Sequence, residues 1–430
     1  MRGLRSEDVK ELWLEIFEYI NVSDLFTLTE TCKDFYSMII NTRLVDKFTM
    51  CLTVDQNARE WNDVKRNYSQ LKIKEFNDLE KYEAVFGEIG RNLKKIFLCK
   101  LELKISSLRK ILNVCPKLEF MVISEVSLEI DEDLESLQLP TFRNLRIYFD
   151  GSSPTFFDIL ENSKAIELCI DNKCSARYTN FDPVKKFIKS QEHLKSLALM
   201  YFSINTNLFM DNMLNFVKFR LKKFSMNSVY LGMENVARFQ TFMMNHIDTL
   251  TTLHVQSPFL DISFFRQFLT LKELQISHTN PFFDSFKNIE ILTVENVSGN
   301  WMVKFPYVRD LTMIYKYGVF LGMYSDLINL VHLQHLTIID SKIPELNIPS
   351  VCSLSLKNVT ICAKRPFRFE DNQIKELNID SCSSIDWIAD FLALESTRLK
   401  VLRIRNMNLK ELIVTEKEKE KIQTLTFINS

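Results

Sequence analysis

Apolar residues recur along most of the chain with the spacing L-x-x-L-x-L, and polar residues stand between them. Clear copies are LKKIFL (Leu93 to Leu98), LKSLAL (Leu194 to Leu199) and LKELQI (Leu271 to Ile276). Alternation of apolar and polar residues over five to seven positions predicts a strand with one face turned toward a core. The sequence therefore predicts many short strands of one kind.

Each copy has a central apolar residue, and these centres follow one another at intervals of 18 to 29 residues. The centres are Ile96, Met121, Leu145, Leu168, Leu197, Phe224, Leu253, Leu274, Leu292, Leu311, Leu336, Leu354, Leu377, Leu402 and Leu425. Because 46% of the residues are hydrophobic, a bare apolar triplet is common by chance. The spacing and the polar residues beside the centres, such as Lys95 and Asp310, carry the prediction.

Helix-like stretches occupy the longer intervals between centres, for example Val236 to His246 and Trp387 to Glu395. Each unit thus reads as a strand, a turn and a helix. A unit of this size cannot bury its apolar face alone, so consecutive units must stack. We expect short parallel strands on the inside of an arc and helices on its outside.

This pattern resembles the leucine-rich-repeat family over residues 91–430, with about 15 irregular repeats. YSQLKI (Tyr68 to Ile73) is similar to an earlier degenerate repeat, and KFTMCLTV (Lys47 to Val54) to a capping strand. The resemblance implies an α/β fold, a leucine-rich-repeat solenoid. The family's asparagine lies five residues beyond the centre, whereas this chain has asparagines four residues beyond, at Asn172, Asn296, Asn358, Asn406 and Asn429.

The first 45 residues contain no such repeat and read as short amphipathic helices. Apolar residues at Leu12, Ile16 and Ile20 follow helical spacing, and Asn21 to Asp24 interrupts the run with residue types that cap helices. A second helix is expected from Leu25 to Thr31 and a third from Lys33. Such a small bundle has a marginal core, so we expect it to lean on the repeats or on a partner. Residues 46–90 would form a connector with degenerate first repeats.

The helical segment resembles the F-box, whose pattern runs from an acidic and aliphatic helix through D-L to a cysteine before an aromatic residue. The matching residues are Glu11, Leu12, Ile16, Phe17, Tyr19, Ile20, Asp24, Leu25, Cys32 and Phe35. Asp8 and Val9 stand where the family has Leu-Pro, and Trp13 replaces an aliphatic residue. The resemblance implies docking to an SKP-type adaptor, and through it to a cullin.

The residues expected to contact the adaptor are Leu12, Trp13, Leu14, Ile16, Phe17, Ile20 and Leu25. The alternative is that all seven belong to the bundle's core. An amphipathic helix needs only one apolar stripe, yet the apolar residues of this helix cover most of its circumference. The apolar residues beyond that one stripe favour the interpretation that part of the helix contacts a partner protein.

In a repeat arc, the polar residues beside the centres face the concave side and are candidates for binding a protein target. They are Arg146, Glu167, Lys223, His254, Glu273, Gln275, Asp310, His335, Glu376, Asn378 and Arg403. For any one of them a simple solvated surface position is the alternative, because few residues of an interface carry its binding energy.

Composition and charge exclude several other classes. The 54 basic and 55 acidic residues are spread along the chain, so no field is expected for nucleic acid or a membrane surface. Nine cysteines without a CxxC pair indicate free thiols in the cytoplasm or nucleus. The start of the chain lacks a signal peptide, and no stretch is long and apolar enough to span a membrane.

Catalytic and metal-binding motifs are absent from the sequence. No glycine-rich phosphate loop, nucleophile elbow or H-E-x-x-H motif occurs, so we expect no cofactor and no metal. His332 and His335 form the only close histidine pair, and they should point to opposite faces of a strand. The expectation is a non-catalytic substrate receptor of an SCF-type ubiquitin ligase. A repeat scaffold with a degenerate F-box, and an enzyme without a recognised motif, remain the alternatives.

Overall fold

The computed structural model describes most of the chain's regular elements. The residues described are 6–20, 22–40, 44, 49–53, 68–75, 86–87, 89–131, 140–149, 157, 160–161, 163–172, 181–202, 217–227, 233–256, 260–277, 285–297, 301–315, 324–343, 346–348, 350–362, 367–369, 373–383, 386–393, 398–407, 422 and 424–428. Contacts between residues divide the chain into two compact units, Met1–Phe219 and Arg220–Ser430. The domain boundaries expected at 45 and 90 stay predictions.

Three helices open the first unit: α1 (Ser6–Tyr19), α2 (Val22–Thr31) and α3 (Lys33–Ile40). The break before α2 is shorter than expected, since the helix already begins at Val22. A small core of Phe17, Leu25, Ile39 and Leu44 joins the helices. Tyr68, which precedes the second strand of the repeats, also packs against this core. The bundle thus leans on the repeats, as its size requires.

The first unit continues with seven parallel strands paired in chain order. They are β1 (Thr49–Thr53), β2 (Gln70–Lys74), β3 (Lys95–Lys104), β4 (Phe120–Glu129), β5 (Thr141–Phe149), β6 (Lys164–Asn172) and β7 (Ser196–Met200). The connections contain α4 (Ile105–Asn113), α5 (Asp182–Ser190) and a short 3₁₀ helix, Gly90–Asn92. Buried residues of α4 and α5 close the core beneath the strands.

The second unit repeats this arrangement. Its strands are β8 (Lys223–Asn227), β9 (Thr252–Gln256), β10 (Glu273–Ser277), β11 (Ile291–Glu295), β12 (Asp310–Ile314), β13 (His335–Ile339), β14 (Lys342–Ile343), β15 (Leu346–Ile348), β16 (Ser353–Lys357), β17 (Thr360–Ile361), β18 (Phe367–Phe369), β19 (Glu376–Asp380), β20 (Val401–Arg405) and β21 (Thr424–Ile428). Two pairs, β14 with β17 and β15 with β18, form small separate sheets, and the other strands pair in order.

Within the described parts of the second unit, the connections hold two α-helices and three 3₁₀ helices. These are α6 (Met233–Met244) and α7 (Asp386–Ala393), then Ile262–Gln267, Met302–Lys304 and Tyr324–Asn329. Both predicted helices therefore exist, displaced by one to three residues at their ends. Leu253 and Leu274 are 21 positions apart, and the described residues between β9 and β10 form a 3₁₀ helix, which closes a narrow repeat with few residues.

The register of the strands matches the predicted centres one by one. Ile96 lies opposite Met121, Met121 opposite Leu145, and the pattern continues to Leu197. In the second unit it runs from Phe224 to Leu425 in the same manner. Met50 and Leu71 extend the row backward, so both degenerate units supply a strand. The predicted fold class, an α/β leucine-rich-repeat solenoid, is confirmed.

In nine repeats of the described chain a residue in the left-handed conformation follows the strand or, at Lys100 and Glu125, lies within the longer strands β3 and β4. The residues with positive φ, between 50° and 58°, are Glu75, Lys100, Glu125, Tyr201, Asn296, Asp340, Asn358, Ser381 and Asn406. Each lies four positions beyond a strand centre. Asparagine adopts this conformation more easily than most residues, which accounts for Asn296, Asn358 and Asn406. Asn172 instead continues β6, and Asn429 lies outside the described residues.

Candidate recognition surface

The expected target-binding residues all lie beside a strand centre, on the face opposite the core. The centres that flank them are buried, including Leu274, Leu377 and Leu402. The eleven candidates are half-buried or exposed, because successive side chains of a strand point to opposite faces. The face exists in both units, but neighbouring candidates contact one another only in local clusters.

One cluster joins β9 to β10 through a single carboxylate. Nε2 of His254 lies 3.2 Å from Oε1 of Glu273, and the hydroxyl of Thr252 donates to the other oxygen of Glu273 at 3.2 Å. Both ring and carboxylate are about one-third exposed. This arrangement fixes the orientation of Glu273 and leaves it partly open to a ligand.

A second pair lies on β12 and β13, where Nε2 of His335 is 3.8 Å from Oδ1 of Asp310. The ring of His332 instead stacks on Tyr307, at 5.5 Å between ring centres. His332 lies in the turn before β13, so the expectation that the two histidines point to opposite faces of one strand was wrong. Among the described residues, no group of three or more His, Cys, Asp or Glu side chains could hold a metal ion.

The third cluster centres on Arg403, whose guanidinium forms an ion pair with Glu376 and donates to Oδ1 of Asn378 at 3.2 Å. Asn378 also donates to Oε1 of Glu376 at 3.4 Å. Beside it lies a depression of about 310 Å³ across β16, β19 and β20. Its lining consists of Ser355, Leu356, Lys357, Asn378, Ile379, Asp380, Arg403 and Arg405.

Asp380 is the acidic residue of this depression, and its carboxylate is held by two donors. The hydroxyl of Ser381 and the amide of Asn406 donate to Oδ1 at 2.8 and 2.9 Å. These hydrogen bonds, the Ser381 one first, and nearby Lys357 and Arg405 lower the pKa of Asp380 despite an opposing effect of burial. The carboxylate is therefore ionised and faces two cations.

In the first unit, Arg146 and Glu167 do not contact each other but share a neighbour, Asn144. The amide of Asn144 donates to Glu167 at 2.8 Å, and Nε of Arg146 donates to Oδ1 of Asn144 at 3.4 Å. The guanidinium also lies over the ring of Phe120, 5.8 Å from its centre. Phe120 also stands beside a strand centre and therefore faces away from the core like Arg146. It was not among the predicted binding residues, because those were all polar.

The residues expected to contact an adaptor fall into two groups. Phe17 and Leu25 are fully buried, and Leu14 and Ile20 pack against them, so these four stabilise the bundle. Trp13 and Ile16 are 37% and 40% exposed. The side chain of Leu12 lies outside the described residues. Tyr19, which was not among the seven, is 92% exposed next to them.

Trp13, Ile16 and Tyr19 define an exposed apolar stripe on α1. At 100° per residue, Ile16 and Tyr19 lie on one side of Trp13, away from the buried Phe17. Trp13 packs against the rings of Phe35 and Phe17, at 5.2 and 5.7 Å between centres. The stripe is therefore supported from beneath by the aromatic core and presents its outer edge to solvent.

The groups with the largest pKa shifts, His246 and Cys115, are buried in the core. Burial lowers the pKa of His246 to about 3, with a smaller contribution from Arg220, and raises the pKa of Cys115 to about 12. Burial also raises the pKa of Cys382 and of Cys169, whose half-buried side chain stands beside the centre Leu168 on the strand face. These thiols are held in the unreactive protonated form.

Comparison with known proteins assigns this chain to no family. No model of a protein family matches the chain, and neither does any curated protein. No helix among the described residues is long and apolar enough to cross a membrane. A solved structure with a similar arrangement is the crystal structure of a TLR13–ssRNA13 complex, at 16% identity and a TM-score of 0.46. The match covers 89% of this chain and 53% of that one, so the chain spans about half the length of that protein.

Proposed function

We propose that this chain is a non-catalytic substrate receptor of an SCF-type ubiquitin ligase. In this proposal α1 docks an SKP-type adaptor, and the strand face of the repeats holds a protein target. The observation that carries the proposal is the exposed apolar stripe, Trp13, Ile16 and Tyr19, on the helix that resembles the F-box. The chain itself would make and break no bonds.

The stripe supports adaptor docking because the bundle already has a core without it. Phe17 and Leu25 fill the space between the helices. A helix that needs only one buried stripe gains nothing in water from a second one. Exposed aromatic and aliphatic side chains on one helix face are instead typical of helix-mediated docking.

The mechanism would be proximity. With the adaptor at α1 and a target on the repeats, the ligase's transfer machinery would meet the target's lysines at a raised effective concentration. The eight described cysteines are free thiols, which supports a reducing compartment such as the cytoplasm or nucleus. The second candidate is a repeat scaffold without ligase coupling, favoured by Asp8 and Val9 in place of Leu-Pro.

The test is co-purification of the full chain with an SKP-type adaptor. We expect Ile16→Asp combined with Tyr19→Asp to abolish capture, because charged groups would be buried against an apolar partner surface. Val331→Asp is the matched control, since Val331 is a 76% exposed aliphatic residue far along the chain. Thermal melting of all three proteins checks that they remain folded.

Loss of capture in the α1 variant alone would support the ligase role. If the unmodified chain captured no adaptor, the ligase role would be wrong and the scaffold would remain. Capture that survives in the α1 variant would show that the stripe is not the docking surface. Phe17→Ala is unsuitable for this purpose, because emptying a buried position costs about 3 to 5 kcal/mol and could unfold the bundle.

A further inference from the structure

Strands β2 to β5 carry a group of basic and aromatic side chains on the face opposite the core. We call this the cation–aromatic patch and define it as Lys72, Lys95, Phe97, Phe120 and Arg146. The register places Lys95 beside Phe120 in one row across the strands, and Lys72 beside Phe97 in the next. Arg146 closes the second row, two strands beyond Phe97.

The two rings contact each other, and two of the cations lie over the Phe120 ring. The ring centres of Phe97 and Phe120 are 5.7 Å apart. Nζ of Lys95 lies 6.0 Å and Cζ of Arg146 lies 5.8 Å from the centre of the Phe120 ring. Both rings are half-buried, so part of each remains open to a ligand. Phenyl groups are held at the surface here between positive charges.

No salt bridge joins Lys72, Lys95 or Arg146 to a carboxylate within the described part of the chain. Two acidic residues of β6, Glu167 and Asp171, lie on this face, each two positions from the register partner of Arg146. Glu167 accepts a hydrogen bond from the amide of Asn144. The strand face of the second unit differs, since Arg403 is neutralised by Glu376. The patch therefore presents three positive charges that form no ion pair among the described residues.

We infer that the cation–aromatic patch binds an extended acidic peptide segment with an apolar side chain at its middle. The carboxylates of such a segment would pair with Lys72, Lys95 and Arg146, and its apolar side chain would lie on Phe97 and Phe120. Charge complementarity and the exposed rings argue for this occupant. The inference rests on the proposed role of the repeats in holding a protein target, and it names the chemistry of that target.

The dimensions of the patch set the spacing of the peptide's acidic residues. Neighbouring strands lie about 4.8 Å apart, so β2 and β5 are separated by about 14 Å. An extended peptide advances about 3.3 Å per residue. Acidic residues about four positions apart, with the apolar residue between them, would match the two ends of the patch.

A peptide fits this patch better than a single-stranded nucleic acid does. Bases bind aromatic side chains by stacking on an open ring face. The Phe120 ring has Lys95 and Arg146 over it, which leaves its edge more accessible than its face. The chain as a whole also has a net charge of −1, so it offers no long-range attraction for a polyanion.

The test measures binding of a short fluorescent peptide to the full chain by anisotropy. The peptide carries an acidic pair on each side of a Leu-Phe centre. We expect Lys95→Glu and Arg146→Glu each to weaken binding by about tenfold, and added salt to weaken it further. Phe120→Leu should also weaken binding, because it removes the ring and keeps an apolar residue.

Lys218→Glu is the matched control, since it makes the same change of charge at an exposed lysine already paired with Glu192. If a charge-reversed variant fails to fold, Lys95→Gln and Arg146→Gln replace it, with the same direction expected. Equal binding by all variants, or by a peptide with lysine in place of each acidic residue, would overturn the inference. So would tighter binding of a single-stranded oligonucleotide.

Failure of this inference and failure of the ligase role are separable, because the same protein preparation is used for adaptor capture. Loss of peptide binding in Lys95→Glu with adaptor capture intact supports both proposals. Peptide binding without adaptor capture would keep the patch and discard the ligase role. Adaptor capture without peptide binding would keep the ligase role and discard the patch as a peptide-binding site.

Discussion

A residue in the left-handed conformation stands four positions beyond the strand centre in nine of the described repeats, and none of the nine is glycine. Non-glycine residues pay about 1 to 2 kcal/mol for this conformation. Backbone hydrogen bonds account for its persistence. The N–H of Asn358 donates to the carbonyl of Asp380 at 2.8 Å, and Ser381 and Asp340 make the equivalent bond to the next strand. The ladder thus extends one residue beyond the strand itself.

Glu125 offers a test of this conformation, because it is exposed at the end of the repeat segment in β4. We expect Glu125→Gly to raise the free energy of unfolding by about 0.5 to 1 kcal/mol, since glycine adopts positive φ without strain. Glu125→Val should lower it by about 1 kcal/mol or more, because β-branched residues tolerate positive φ poorly. Chemical denaturation measures both.

Ser127→Gly is the control for Glu125→Gly, since Ser127 is an exposed residue of the same strand without positive φ. Glycine there should destabilise the protein through backbone entropy alone. Equal effects of glycine at the two positions would argue against strain at Glu125.

His246 should give the protein a specific sensitivity to acid. Its Nδ1 accepts a hydrogen bond from the N–H of Leu221 at 3.3 Å, and burial lowers its pKa from 6.5 to about 3. The unfolded chain therefore binds a proton below pH 6.5 that the folded chain does not. Stability should fall by about 1.4 kcal/mol per pH unit as the pH decreases from about 6.5 toward 3.

Between about pH 6 and pH 4, we expect His246→Asn to reduce the dependence of the unfolding free energy on pH. The reduction should be about 1.4 kcal/mol per pH unit, which corresponds to the uptake of nearly one proton on unfolding. Asparagine retains an oxygen that can accept from the backbone. His193→Asn is the matched control, because it makes the same substitution at an exposed histidine. An unchanged slope in His246→Asn would mean that the folded protein admits the protonated ring.

At the scale of elements, a buried glutamine fastens α5 to β6. Oε1 of Gln191 accepts from the N–H of Ala165 at 2.8 Å, and its Nε2 donates to the carbonyl of Ser163 at 2.9 Å. Nε2 also donates to the carbonyl of Phe187 at 3.2 Å. One side chain thus satisfies backbone groups at the end of the helix and at the start of the previous strand.

Gln191→Leu should lower the free energy of unfolding by about 2 to 4 kcal/mol, because it leaves several backbone groups buried without partners. Gln267→Leu is the matched control, since Gln267 is exposed and makes a local bond within its own turn. Its effect should stay within about 0.5 kcal/mol. Similar losses for both variants would contradict the role assigned to Gln191.

Strand positions could be predicted from the sequence, and helix positions only in part. The centres were found because each must be buried between polar neighbours, a period that survives irregular spacing. Helix ends depend on capping contacts that come from distant residues. Asp131, beyond β4, accepts from the N–H and hydroxyl of Ser106 at 3.0 and 2.5 Å and so caps α4. Neither α4 nor α5 was predicted, although both carry local helix signals. In α4 the buried residues Ile105, Leu108 and Ile111 follow helical spacing, and α5 begins with Asp182 and Pro183.

The candidate recognition face was predictable as a set of positions, but its clusters were not. The period-two pattern indicates which side chains share the face. It does not indicate which side chains on neighbouring strands meet, because that depends on the register between repeats of unequal length. The predicted binding residues were all polar and so did not include Phe97 and Phe120, although both stand beside strand centres.

At the scale of the whole molecule, the near balance of 54 basic and 55 acidic residues conceals local differences. The cation–aromatic patch carries three cations without a carboxylate partner, whereas the second unit's face pairs His254 with Glu273 and Arg403 with Glu376. Net charge alone would miss this contrast. Recognition by the two units should therefore differ in its dependence on salt.

The partial exposure of Trp13 makes α1 observable by fluorescence. Trp301 and Trp387, the other tryptophans of the described chain, are buried, so water reaches Trp13 far more readily. A protein that covers α1 should shift the emission to shorter wavelength and protect it from a dissolved quencher. Trp13→Phe should remove that response, which would let docking be followed in real time without any attached label.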